Sequence, residues 1–242
     1  MNNLDIRSPV LHTFLFFSLL LWLLLFVFAK MSLVVSLAIA LIVTFLAVFV
    51  LMRLAAGFVL RSFKCSLANE RQFPRLHNAI EGICVNHGLD KPDLYVLENS
   101  KGNAVAVADK RSQAIVITTG AVDGLDLIEI EGLLALLIAK CIDNRLPKKT
   151  AEAFFLRFPL WSIFVKGKKY KTGVLDEDFR GTQLTRYPPG VQRALLRLSE
   201  LGTKMENSPK TTSHLWLMDP KGIEGEGTHP STEERVLALE GM

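Results

Sequence analysis

Two long uncharged stretches open the chain, and behind them polar and apolar residues alternate on shorter periods. Val10 to Ala29 is interrupted only by His12, Thr13 and Ser18, and after Lys30 a second run extends from Met31 to Met52. Each approaches the roughly 20 residues a helix needs to cross a bilayer core. The connection Ala29-Lys30-Met31-Ser32 is short, so the runs at 10–29 and 31–52 predict a transmembrane helical hairpin with both ends on one side. A cleaved leader is not expected, because no small-residue cleavage site follows the first run and a second span comes at once. From Arg53 to Ala68 the second helix is expected to continue as an amphipathic neck, with Leu54, Phe58 and Val59 opposite Arg53, Arg61 and Lys64.

Shorter elements follow. Pro74 opens a helix with Leu76, Ile80, Ile83 and Cys84 inward, and Gly88 stops it. Lys91 to Leu97 reads as a short strand. Asn103–Ala108 and Gln113–Thr118 flank a polar turn as a β-hairpin. After Asp123 and Asp126, both candidate caps, Ile130, Leu133, Leu134, Leu137, Ile138 and Cys141 mark a buried helical face. Residues 153–165, aromatic and fenced by lysines, predict a segment lying in the headgroup boundary; the alternative is a hydrophobic loop tucked under the domain. Val191, Ala194, Leu195 and Leu198 form the inner face of another helix. Ser231 and Glu234 form a capping box that opens the last one.

At 242 residues and 50 % hydrophobic content, the chain suits a membrane hairpin over residues 1–68 and a domain over 69–242. The net charge of +4 lies beside the apolar runs, as in Arg53, Arg61 and Lys64, which fits an anionic membrane surface. No nucleic-acid motif accompanies it, so nucleic acid is not an expected partner. Only Arg7 and Lys30 lie before and between the spans, whereas Arg53, Arg61, Lys64, Arg71 and Arg75 follow. The expectation is an integral membrane protein with both termini and the main domain cytoplasmic. The three cysteines have no C-x-x-C spacing and read as reduced, packed side chains.

Several motifs carry a resemblance. Glu129-Ile-Glu-Gly-Leu-Leu-Ala135, Leu184-Thr-Arg-Tyr-Pro-Pro-Gly190 and Thr228-His-Pro-Ser-Thr-Glu-Glu-Arg235 resemble segments of the HtpX-like membrane zinc metallopeptidases, relatives of the CAAX prenyl protease. The resemblance implies an α+β fold: a zincin-like domain, mostly helical with a small β-hairpin or sheet, on the transmembrane hairpin. It also implies zinc held by H-E-x-x-H and by the glutamate of E-x-x-x-D. The pentapeptide falls on Leu136-Leu-Ile-Ala-Lys140, so its chemistry-bearing positions are Leu136, Leu137 and Lys140. With Asp178 as the aspartate, the third ligand falls on Val174, and Asp176 and Glu177 read as lying at the wrong helix phase. That acidic run reads as a solvated helix start.

Two imidazoles at i and i+4 grip zinc while the intervening carboxylate activates water. Leucine has no lone pair and a lysine ammonium repels a dication, so no catalytic residue, no metal ligand and no cofactor are assigned. The retained family residues are Asp178, His229, Pro230 and Arg235, with a structural hydrogen bond expected for His229. The strand at Asn103, Ala104, Val105 and Ala106 corresponds to the family's peptide-binding edge, where backbone pairing would supply affinity without zinc; a simple turn or strand-start role for Asn103 weighs equally.

The expected function is a catalytically inactive HtpX-like homologue at the lipid bilayer, binding peptide or membrane-protein segments or regulating an active peptidase relative. Two alternatives stand beside it: a zinc endopeptidase of membrane protein quality control with an atypical site, and a membrane scaffold without a peptide site.

Overall fold

The computed structural model describes residues 8–157, 173–206, 208–223, 225 and 228–240. Helices α1 (Pro9–Val27) and α2 (Leu33–Ser62) pack as the expected hairpin. Both are long and apolar enough to cross a membrane. Their outer faces leave Leu15, Leu19, Val34, Ile42 and Phe45 more than half exposed, a surface that belongs in lipid rather than water. Ser36, Ala40, Thr44 and Val48 recur every fourth residue on the buried stripe of α2, where small side chains allow close packing. The chain is a membrane protein.

The expected neck to Ala68 is corrected. Helix α2 stops at Ser62, and Lys64 adopts a left-handed backbone (φ 53°) that turns the chain out of the helix. Ser66–Leu67 then forms β1, antiparallel to β2 (Asp93–Leu97). Between them lies α3 (Pro74–His87), with Leu76, Ile80, Ile83 and Cys84 buried and Gly88 in the left-handed cap. Strands β3 (Ala104–Ala108) and β4 (Gln113–Thr118) form the predicted hairpin. The sheet order is β1-β2-β4-β3, with β2 and β4 parallel, so β3 is an edge.

A short helix α4 (Thr119–Gly124) leads into α5 (Leu127–Cys141). Of the two candidate caps, Asp126 serves. Its carboxylate accepts the Glu129 N–H at 2.8 Å, and the Glu129 carboxylate accepts the Asp126 N–H at 2.9 Å. Every residue of α5 from Gly132 to Cys141 is buried, so this helix is wrapped on all sides. Around it lie α3, α7 (Val174–Thr185) and α8 (Pro188–Leu201), while α6 (Leu146–Phe155) joins the domain to both membrane helices. Phe154 lies against Phe58 with ring centroids 5.5 Å apart and the rings tilted by 32°, and Phe155 is fully buried. The interfacial segment expected at 153–165 thus begins as the buried end of α6, and its remainder from 158 lies outside the described residues. A 3₁₀ helix (Lys210–Leu215) and α9 (Thr232–Leu239) complete the order.

Candidate functional site

The site is built where α5 crosses α7. A Cβ added to Gly181 would sit 3.0 Å from the Leu136 Cα, so the two helix backbones touch at that level. One turn along, Glu177 of α7 meets Lys140 of α5. Val174 lies a further turn back, buried on the same face. The sequence reading of Glu177 as out of phase is therefore corrected: residues three apart on a helix share a face. The acidic run is not a solvated helix start either, since only Asp176 is exposed while Glu177 and Asp178 are buried.

Lys140 is buried to 3 % exposure, and its ammonium donates to the Trp216 carbonyl at 3.0 Å and faces Glu177 Oε2 at 3.3 Å. The other oxygen of Glu177 accepts from Lys149 at 2.6 Å. Burial alone would push the Glu177 carboxyl up, but the two ammoniums outweigh it and hold it down at about 2. Burial pulls Lys140 below the ordinary lysine range, against the pull of Glu177. A second buried pair stands beside the first. Arg235 binds Asp178 through two bonds of 2.7 Å and also donates to the Leu217 carbonyl at 2.9 Å.

Neutral His229 completes the cluster. Its Nε2–H donates to the Trp216 carbonyl at 2.8 Å, and Nδ1 accepts from the Thr228 hydroxyl at 2.9 Å. Burial, followed by the neighbouring charges of Lys140 and Arg235, lowers its pKa to about 3. Pro230, buried beside it, precedes the Ser231 cap of α9, which accepts the Glu234 N–H at 3.1 Å.

These side chains converge on one stretch of backbone, Trp216 to Met218. An isolated antiparallel bridge joins Trp216 to Val105, and the Leu217 N–H donates to the Ala104 carbonyl at 2.8 Å. Asn103 is fully buried, donating from Nδ2 to the Thr203 and Met218 carbonyls and accepting from the N–H of Ala104 and Met218. At the far end of β3, the Ala108 N–H donates to the Thr150 hydroxyl. The peptide-binding edge expected at Asn103, Ala104, Val105 and Ala106 is accordingly closed by the chain's own segment, and all of β3 is buried. Asn103 stands immediately before β3, as the strand-start reading has it, and its side chain in addition clasps that segment in place.

No family model matches the chain. A protein named Protease HtpX homolog from Dictyoglomus thermophilum is 26 % identical, the match covering 72 % of this chain and 71 % of that one. A protein of the same name from Acidiphilium cryptum is 27 % identical, covering 76 % and 79 %. The crystal structure of S. mikatae Ste24p superposes with a TM-score of 0.50 at 17 % identity, covering 92 % of this chain but 61 % of that longer one. The chain is related to the HtpX proteases.

In this HtpX relative, the zinc that the resemblance implies does not fit the residues at hand. Leu136 and Leu137 offer hydrocarbon, and Lys140 carries a positive charge already held by Glu177. Among the described residues no three His, Cys, Asp or Glu side chains come together in a way that could hold a metal ion. His12, His77, His87 and His214 each hydrogen-bond a separate backbone carbonyl, those of Ser8, Ala68, Leu184 and Lys149. What the arrangement can do chemically is hold backbone: its buried cations, imidazole and amide each fix a carbonyl.

Proposed function

We propose that this chain is a membrane-anchored, non-catalytic relative of the HtpX proteases. It acts by binding protein segments at the bilayer surface or by regulating an active relative. The observation that carries this reading is the Lys140 ammonium, paired with Glu177 and bonded to the Trp216 carbonyl at the place the family pattern gives to an imidazole. A cation fixed there opposes a dication, and Leu137 cannot accept a proton from water. The membrane hairpin and the basic residues after α2 support an anchor with the domain on the cytoplasmic side.

Two measurements on the full chain, purified in detergent without chelator, test it together: zinc content by elemental analysis and cleavage of casein. The expected result is zinc far below one equivalent and no cleavage above that of a mock preparation. Stoichiometric zinc together with chelator-sensitive cleavage would establish the rival reading, an endopeptidase with an unusual ligand set.

A further inference from the structure

A cavity of about 440 Å³ opens where the membrane hairpin meets the sheet, between the end of α2, the end of β2 and the stretch before the 3₁₀ helix. Phe63, Met205 and Trp216 form its apolar walls, while Lys64, Cys65 and Glu98 stand at its polar side. It lies away from Lys140 and Glu177, separated from them by the Trp216 backbone that Lys140 holds. Its volume falls in the range of sites that bind ligands.

Two features say what would fill it. Backbone direction alternates along β2, and the Ala68 N–H bonded to the Leu94 carbonyl and the pairing of Ser66 with Val96 show which side faces β1. Glu98 is next in that series. Strand β1 stops short of it, because Lys64 turns away, and among the described residues neither the N–H nor the C=O of Glu98 has a hydrogen-bond partner. The second feature is the apolar wall, where the cavity is lined by the buried side chains of Phe63, Met205 and Trp216. The cavity thus offers a free strand edge carrying both a donor and an acceptor, an apolar wall, and one charge of each sign.

We propose that this cavity binds an extended polypeptide segment, which adds to β2 beyond β1, pairs with the Glu98 backbone and sets an apolar side chain against Phe63, Met205 and Trp216. The proposal rests on the non-catalytic reading and gives it a binding site. Of the ligand chemistries available near a bilayer, a peptide backbone alone supplies alternating donors and acceptors to match a strand edge. A lipid phosphate would meet Glu98 as well as Lys64.

Cys65 provides the readout, being half-buried at the cavity while Cys84 and Cys141 are buried. The full chain in detergent is treated with N-ethylmaleimide, and modification of Cys65 is followed by mass spectrometry. Reduced, carboxymethylated α-lactalbumin serves as a permanently unfolded polypeptide. It is expected to slow Cys65 modification several-fold and saturably. Ser208→Trp, which puts a bulky side chain at a lining position, and Glu98→Pro, which removes the free N–H, are each expected to abolish that protection with the melting temperature retained. Unchanged Cys65 reactivity in the presence of the polypeptide overturns the proposal. So does protection that survives in a folded variant of either kind, and so does protection by phosphatidylglycerol vesicles alone, which would make this a lipid site. Zinc content and casein cleavage do not report on this cavity, so its failure leaves the non-catalytic reading standing.

Discussion

A buried ammonium that loses its counter-charge is strongly destabilising, and Lys140 depends for its charge on one carboxylate. Glu177→Gln keeps the volume and removes the charge, leaving both Lys140 and Lys149 without their anion. It is expected to cost about 3–5 kcal/mol at neutral pH, seen as a fall in the melting temperature in detergent. Lys140→Met should cost less, since Glu177 keeps Lys149 and the Trp216 carbonyl keeps His229. Equal losses in the two variants would show that the pair does not work as a buried ion pair. Acid should weaken the same cluster in two windows. His229 is held near 3 against 6.5, so below pH 6.5 the unfolded chain takes up a proton that the folded chain refuses, and stability falls down to about pH 3. Glu177 is held near 2 against 4.5; its contribution is complete above 4.5 and is lost as pH falls through 2. The measurable outcome is a melting temperature that drops between pH 6.5 and 4.5, at up to about 1.4 kcal/mol per pH unit. His229→Gln, whose amide can still donate to the Trp216 carbonyl, should flatten that window. A slope unchanged in this variant would assign it to other groups.

Among the elements, α5 decides the arrangement, and its contacts are set by two glycines. A Cβ at Gly132 would meet the Gly190 carbonyl oxygen at 2.6 Å, and a Cβ at Gly181 would meet the α5 backbone at Leu136. Backbone atoms cannot step aside as a flexible side chain can. Gly132→Ala is therefore expected to destabilise by about 1–3 kcal/mol through overpacking of α5 against α8, even though alanine is intrinsically the better helix former by about 1 kcal/mol. A variant as stable as the parent would mean that α8 can move off α5 without loss. At this scale the sequence was informative where local chemistry decides. The Asp126 cap, the Gly88 stop and the β3–β4 hairpin all depend on residues a few positions apart. The end of α2 was misjudged because the hydrophobic pattern runs on past Ser62. What stops the helix is the turn at Lys64 and the pairing of β1 with β2, a partner some 30 residues later.

Taken whole, the molecule is a membrane hairpin whose second helix delivers the chain to a sheet, with a central helix enclosed by others. The spans were legible because bilayer thickness imposes a length and an uncharged composition that hardly any soluble segment shares. The chemistry of Leu136, Leu137 and Lys140 was legible too, because whether a side chain carries a lone pair or a carboxylate is a property of the residue and not of its surroundings. Glu177 was not. Which two of three consecutive acids point inward depends on how α7 is rotated against α5, and that rotation is set by the Gly181–Leu136 contact. The fate of the β3 edge was equally out of reach. Asn103, Asp178, His229 and Arg235 gave no sign in sequence that they share one target, because the backbone at Trp216–Met218 lies more than a hundred residues from the strand it covers. Composition and local spacing determined that this chain enters a membrane and that hydrocarbon and an ammonium stand at Leu136, Leu137 and Lys140. Only the tertiary structure decided what surrounds these side chains, since burial, helix rotation and long-range backbone pairing arise when distant segments are packed together.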